Sequence, residues 1–308
     1  MMEILLAERR SPFYSSIVGL GATMGRVGGD FISAKHYSGI ADEHLNTRKN
    51  VGVQDLSTMG KMDIKGADAE ALVNHVIVND AAAMGPGQVR YSTVCREDGG
   101  IMDDLTVFRL GAEHFMLVTG SVNRLKMLPW LQHHAQGRRP YVTDITAAVA
   151  FPTIQGPRSR DLLKAMISDA DLDELKRWAF TSGHINGTRV LISRTGVTGE
   201  LGFELFVPAD EATSVWDALM RTGQAFGLKP YGVLAMFTLG LERPIRRTGS
   251  TWTRRARRSM SASTAGSSSI KAISSAGTRC SRCATRASTS AGPGFSSTAT
   301  SRRRRMHG

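Results

Sequence analysis

The sequence is poor in cysteine, modest in aromatic residues and, over its last 66 residues, without a single Asp or Glu. Among 308 residues there are three Cys: Cys95 alone in the body, and Cys280 and Cys283 near the end. That excludes a disulfide framework and agrees with a reducing compartment. Aromatic residues make up 6% and the apolar set 41%, slightly lean for a globular protein but enough at this length for two domains or for one large enzyme with a well-buried core. No run approaches the ~20 apolar residues of a membrane span. The opening "MMEILLAERR" has too short an apolar run, and an acid too early, for a secretory signal. A cytoplasmic protein without membrane attachment is expected.

The missing acid also accounts for the net charge of +12, which would ordinarily point to nucleic acid or an anionic membrane. Residues 243–308 carry fourteen Arg and one Lys, leaving 24 basic against 27 acidic side chains in the first 242 residues. The body is mildly acidic, and no specific nucleic-acid partner is expected.

What is present is an alternation of strand and helix signals. "GKMDIKG" alternates polar and apolar residues and stops at Gly66, predicting a strand and turn. "ADAEALVNHVIV" predicts a helix with Ala71, Leu72, His75 and Val76 on one face. "GQVRYSTVCRE", "EDGG" and "IMDDLTVFRL" predict a hairpin, and "GAEHFMLVTG" a third strand. "SVNRLKMLPWLQHHAQ" predicts a helix that Pro129 kinks or ends. A second block repeats the rhythm: strands in "YVTDITAAVAFPTIQG", a helix opened by Pro157, paired strands in "TRVLISRTG" and "LGFELFVP", and an amphipathic helix ending at glycine. Helices alternating with antiparallel strand pairs indicate α+β.

Three stretches could carry chemistry. In "REDGGIMDDLTVFRL" a tight turn feeds Asp103 and Asp104 into a strand, where neighbours point to opposite faces. Ile101, Leu105 and Val107 flank them, so one carboxylate needs a partner or ligand in an apolar setting. A solvated Asp pair after a hairpin is the plainer alternative. In "SRTGVTGELGFELFVP", Gly196, Gly199 and Gly202 allow close backbone approach beside Glu200 and Glu204, or simply make a glycine-rich hairpin turn. In "VQDLSTMGKMDIKG", Asp55 and Ser57 suit a turn, and Met59 suits a core. The histidines lack metal-ligand spacing, and no Walker loop, GxGxxG or nucleophile elbow occurs; no metal is expected.

Taken in order, "SPFYSSIVGLGATMGRVGGDF", "IADEHLNTRKNVGVQDLSTMG", "VNDAAAMGPGQVRYSTV", "EDGGIMDDLTVFRL", "IQGPRSRDLL", "SRTGVTGELGFELFVP" and "GLKPYG" resemble the aminomethyltransferase family. That family is the T-protein of the glycine cleavage system, with relatives in the folate-binding halves of sarcosine and dimethylglycine dehydrogenases. The resemblance implies a folate-binding fold of two intertwined α+β domains, 1–57 plus 137–242 and 58–136, with the family's C-terminal β-rich domain missing. It implies tetrahydrofolate as cofactor, and transfer of a methylene unit from an aminomethyl or N-methyl donor to folate N5. A lipoyl carrier protein or an amine dehydrogenase is the partner it suggests. It makes Asp104 the catalytic carboxylate, Glu204 the reader of the pterin, and Met59, Tyr91 and Phe108 the pocket lining. The chain departs from the glycine-cleavage pattern at Thr58 (His there), Val197 (Tyr) and Met236, where an Arg grips the folate's glutamate tail. The first two changes resemble the sarcosine and dimethylglycine branch. A non-catalytic folate-binding or interaction module with a polyanion-binding, Arg-rich tail is the alternative.

From residue 243 the periodicity ends and Ser, Thr, Arg, Ala and Gly dominate, a composition that predicts disorder. If each codon takes the last base of one codon and the first two of the next, residues 272–281, "AISSAGTRCS", can be read Gly-Asp-Phe-Ile-Gly-Arg-Asp-Ala-Leu-Leu. The same shift turns residues 248–253, "TGSTWT", into Gly-Val-Asp-Leu-Asp. Both resemble motifs of the family's next segment, in order and in one frame. The expectation is a single-nucleotide frameshift near residue 242, with the literal chain inactive if its last domain is lost. On this reading the CxxC of Cys280 and Cys283 is not a site.

Overall fold

The period-two alternation of "GKMDIKG" becomes a strand whose Met62 and Ile64 face a core, while Asp63 and the exposed Lys65 pair on the other face. In the computed structural model, residues 8–26 and 29–242 are described; the tail at 243–308, with its expected disorder, CxxC and displaced frame, lies outside the described residues. In chain order the strands are β1 (Arg9–Arg10), β2 (Thr23–Arg26), β3 (Phe31–His36), β4 (Val51–Asp55), β5 (Gly60–Lys65), β6 (Val89–Cys95), β7 (Ile101–Gly111) and β8 (His114–Thr119). They continue with β9 (Tyr141–Asp144), β10 (Val149–Ala150), β11 (Pro152–Gln155), β12 (Phe180–Ile185), β13 (Thr188–Ser193), β14 (Gly202–Pro208) and β15 (Leu228–Pro230). The helices are α1 (Tyr14–Gly19), α2 (Ile40–Lys49), α3 (Ala69–Val76), α4 (Arg124–Ala135), α5 (Ser159–Lys164), α6 (Ala212–Gly223) and α7 (Val233–Glu242).

Two large sheets organise the chain, and β1-β3-β2 form a small third one. The five-stranded sheet runs β6-β7-β8-β5-β9, antiparallel throughout. One of its faces buries Met62, Ile64, Leu105, Val107, Phe115 and Leu117 with side chains of α3 and α4. The seven-stranded sheet runs β12-β13-β14-β11-β4-β15, with β10 on β14, and only β15 and β4 pair in parallel. Val53, Ile154, Ile192, Phe203 and Leu205 on one of its faces form a second core with α1, α5 and α6.

The remaining faces of the two sheets meet at an aromatic seam. Phe108 and Met116 from β7 and β8 pack with Phe206 of β14, Phe151 and Leu56. Phe108 meets Phe206 edge-on at 5.1 Å between ring centroids, and Phe151 lies 4.5 Å from Phe206. Such contacts add about 1 kcal/mol each beyond burial, so the seam fixes one sheet against the other.

Two local expectations are corrected. Helix α3 buries Ala69, Leu72, Val73 and Val76, and leaves Ala71 and His75 exposed. The spacing 69/72/73/76 is the true helical stripe, because those side chains are the ones packed on the five-stranded sheet. Of the kink or end expected at Pro129, the end is corrected: helix α4 runs on through it. The carbonyl that Pro129 leaves without a donor belongs to Leu125, an exposed residue, where water can satisfy it.

The turn after β11 is locked by Gly156. Its φ is 132°, and a Cβ there would lie 2.4 Å from the carbonyl oxygen of Asn50 and 2.7 Å from that of Thr47. At Gly137, with φ of 74°, nothing lies within 4 Å. Gly156→Ala is expected to cost about 3 kcal/mol, since backbone must move, and Gly137→Ala about 1 kcal/mol. Urea denaturation of the full-length proteins gives both values, and equal costs would refute the close-packed turn.

Candidate active site

Residues directly opposite in neighbouring strands put their side chains on the same face. Across the seven-stranded sheet this registers Gln54, Thr153, Glu204 and Ser193 in one row. On one side of it lie Phe206 and Leu191, part of the aromatic seam. On the other lie Gly52, Gln155 and Gly202. A buried polar row thus borders the aromatic seam.

The glycine-rich turn makes room for Gln155. A Cβ on either Gly196 or Gly202 would come within 2.2 Å of its amide. Gln155 is fully buried; its Nε2 donates to Thr153 Oγ1 at 2.7 Å and to the Thr195 carbonyl at 3.2 Å, and its Oε1 accepts from Thr198 Oγ1 at 2.9 Å. Gly199, with φ of 79°, supplies a left-handed turn. Arg48 of α2 then donates to the Thr198 carbonyl at 2.7 Å, to Glu200 at 3.0 Å and to the Leu239 carbonyl at 2.9 Å, clamping the loop to α7.

Glu204 is buried and accepts a hydrogen bond from Thr195 Oγ1, which lies 2.9 Å from Ser193 Oγ. Burial pushes its carboxyl up to about 7, against the opposing pull of the Thr195 hydroxyl. At neutral pH it is poised between acid and carboxylate.

The two adjacent aspartates divide as strand geometry requires. Asp103 is fully buried and accepts from Gly120 N at 3.2 Å and Asn123 Nδ2 at 2.5 Å, pinning the start of α4. Burial raises it to about 7, with a smaller push from the neighbouring Asp104 charge and an opposing hydrogen bond from Asn123. Asp104 is partly exposed on the opposite face, the face that carries Phe108. Tyr91 Oη donates to it at 3.2 Å.

Met59 is partly buried against the seam, at the end of a turn braced from three sides. Ser57 N donates to Asp55 Oδ1 at 2.8 Å, Phe151 N donates to Ser57 Oγ at 2.9 Å, and Lys61 Nζ donates to the Ser57 carbonyl at 3.0 Å. Lys61 is fully buried, and desolvation lowers its ammonium to about 7. Met236 of α7 packs against both the seam and the small cluster of Tyr231, Ala235 and Leu239.

Of the five residues singled out from the sequence, Phe108 and Met59 share the seam, and Glu204 stands two residues from Phe206 on the same face of β14. Tyr91 and Asp104 form a hydrogen-bonded pair nearer the surface, Tyr91 being 38% exposed. The sequence reading missed Gln54, Gln155, Thr195 and Asn123. The first two carry a usable signal, a polar residue on a strand of apolar ones in "VGVQD" and "PTIQG". Chemically, buried acceptors beside aromatic side chains suit a planar heterocycle rich in N–H donors. Among the described residues no group of three or more His, Cys, Asp or Glu could hold a metal ion, and no helix is long and apolar enough to cross a membrane.

Known proteins resemble this chain in sequence and fold. Residues 13–258 match the family model of the GCVT N-terminal domain. An aminomethyltransferase of Moorella thermoacetica is 40% identical over 234 residues, 76% of this chain and 63% of that protein. One from Streptomyces avermitilis is 42% identical over 223 residues, 72% of this chain and 59% of that protein. The chain therefore spans about three fifths of the length of these relatives. The crystal structure of glycine cleavage system aminomethyltransferase T from Bartonella henselae superposes with a TM-score of 0.71 at 28% identity, over 78% of this chain and 64% of that one. Heterotetrameric sarcosine oxidase from Corynebacterium sp. U-96 gives 0.50 at 17% identity over 71% and 96%, a likeness of fold alone. With the family model matched from the first helix onward, over most of its length, the chain belongs to the GCVT N-terminal domain family.

Proposed function

We propose that this chain is a tetrahydrofolate-dependent one-carbon transferase that moves a methylene unit from an aminomethyl or N-methyl donor to folate N5. The observation that carries this reading is the buried carboxyl of Glu204, held by one hydroxyl beside an aromatic seam. An ionised carboxylate in such a place needs N–H donors from a ligand, and the amino and ring N–H groups of a reduced pterin supply them. Phe108 and Met59 would wall the ring. Tetrahydrofolate, when bound, supplies the nitrogen nucleophile that takes up the one-carbon unit.

The residues of the chain would then divide the work. Glu204 orients the ring by accepting from its N–H edge. Asp104, partly exposed and held by Tyr91, places a fixed anion where positive charge develops on the transferred carbon and its nitrogens. Asp103 does not meet the substrate; it anchors the strand end through Asn123 and Gly120 and so positions Asp104. Met236 stands without the guanidinium that would grip a glutamate tail, so tail recognition has to come from outside α7. We further infer two interleaved units, 1–57 plus 137–242 and 58–136, and a cytoplasmic protein working with a lipoyl carrier or an amine dehydrogenase. We also infer that residues 243–308 are out-of-frame translation.

The coding DNA tests the last point. Restoring the frame near codon 242 should yield an open reading frame containing Gly-Val-Asp-Leu-Asp and then Gly-Asp-Phe-Ile-Gly-Arg; a stop codon within that frame would refute it. For the activity, tetrahydrofolate is titrated into the 308-residue chain and into its frame-restored form. Asp104→Ala should lower turnover by about a hundredfold or more while changing the tetrahydrofolate Kd less than about threefold. Glu204→Ala should abolish binding. A frame-restored protein that binds no folate sinks the enzyme reading.

The raised pKa of Glu204 gives a pH signature. In the folded, ligand-free protein the group keeps its proton up to about 7, whereas the unfolded chain releases it near the ordinary carboxylate value. Its favourable contribution is thus complete at pH 4 and is lost as pH rises through 7. Glu204→Gln should remove that loss, so the variant gains on the order of 2 kcal/mol over wild type at pH 8 and little at pH 4.5. Urea midpoints at the two pH values measure this, and Asp103, which titrates in the same window, cancels in the difference. Equal gains at both pH values would mean that Glu204 does not titrate as stated.

A further inference from the structure

Gln54 of β4 stands in the same row as Thr153 and Glu204. It is 5% exposed, and its amide oxygen is buried with no hydrogen-bond partner among the described residues. Native proteins leave few such atoms unmatched. The other members of the row are committed within the chain: Thr153 Oγ1 to the Phe203 carbonyl and to Gln155, and Ser193 Oγ to Thr195. Glu204 has the Thr195 hydroxyl, and a carboxylate can accept more than one donor. Two acceptors with spare capacity therefore lie on one face of the sheet, two strand spacings apart, or about 10 Å between backbones. Both border the seam of Phe151, Phe206 and Leu56.

We propose that Gln54 is a specificity-determining residue that accepts a hydrogen bond from a ring N–H of a reduced pterin and thereby selects reduced over oxidised folate. This rests on the folate reading of the site given above. The chemistry is one of matching. In tetrahydrofolate the pyrazine-ring nitrogens N5 and N8 carry hydrogens and donate. In folic acid the same nitrogens are bare lone pairs, and an amide oxygen facing one of them meets acceptor with acceptor. Glu204 cannot make this distinction, because the pyrimidine edge with its amino group is nearly the same in both oxidation states. A site that hydrogen-bonds a donor discriminates strongly against the analogue lacking it, since the buried acceptor is then left unpaired. The neighbouring Lys61 and Asp55 serve the turn that carries Met59, which leaves Gln54 as the unassigned polar group of the row.

The test uses the full 308-residue chain and its frame-restored form, with titrations of tetrahydrofolate and of folic acid followed by calorimetry. Wild type should prefer tetrahydrofolate. Gln54→Met, of similar volume and without an acceptor, should weaken tetrahydrofolate by roughly tenfold or more and leave folic acid within about twofold, so that the preference collapses. Gln54→Glu, which keeps an acceptor and offers no donor, should retain tetrahydrofolate and widen the preference. A Gln54→Met protein that weakens both ligands equally, or neither, overturns the assignment. If Gln54→Met fails to fold, a Gln54→Glu protein with unchanged preference overturns it instead. Frame-restored wild type that binds no tetrahydrofolate refutes the folate reading itself, a result distinct from an unaltered preference in the variants.

Discussion

The arrangement depends on one constraint: a carboxyl group, Glu204, is buried in the middle of a sheet with a single hydroxyl as its partner among the described residues. A charge in that position is costly unless it is paired, and a neutral acid there is tolerable only while it stays protonated. Its neighbours are arranged around that cost. Thr195 donates to it, Ser193 backs Thr195, and Gln155 fastens the Thr195 carbonyl from the other side. The glycines of the turn follow from this, since Gly196 and Gly202 leave the space that the Gln155 amide fills. The glycine pattern in the sequence is thus the imprint of a buried glutamine that lies some 40 residues earlier.

On the proposed reading the polar row needs a wall opposite. That wall comes from the other sheet, through Phe108, and the edge-on contact with Phe206 sets the distance between them. Because Phe206 and Glu204 are two residues apart on one strand, and Phe108 and Asp104 four apart on another, the seam also sets how far the buried acid stands from the exposed one. A change in seam packing would shift both carboxyls relative to a ligand without touching either.

Local periodicity was a good guide to elements and a poor one to their burial. The β5 strand, the β6–β7 hairpin and the β13–β14 pair all lie where alternation and turn residues put them. The split of Asp103 and Asp104 to opposite faces follows from strand geometry alone, and it is found. Helix α3 shows the limit, because four apolar positions and a histidine allow two stripes and only the sheet beneath selects one. The interior polar network was illegible for a different reason. Gln54, Gln155 and Thr195 belong to three strands or turns far apart in sequence, and only their register makes them neighbours. Residue type announces that each is unusual on an apolar strand, but not which partner it meets.

The clamp at the far end of the site links these observations to α7. Arg48 joins the glycine-rich turn, through the Thr198 carbonyl and Glu200, to Leu239 and Glu242. His44 adds a second contact to Glu242 at 3.0 Å. The same helix presents Met236 to the seam. A displacement of α7 would therefore reach the site twice, once directly through Met236 and once through Arg48, Thr198 and Gln155 to the loop that holds Thr195. Glu204 answers to the second route, because its one hydroxyl partner sits on that loop. The geometry of the acid at the centre of the sheet is in this way tied to the last turn of the described chain, more than thirty residues downstream.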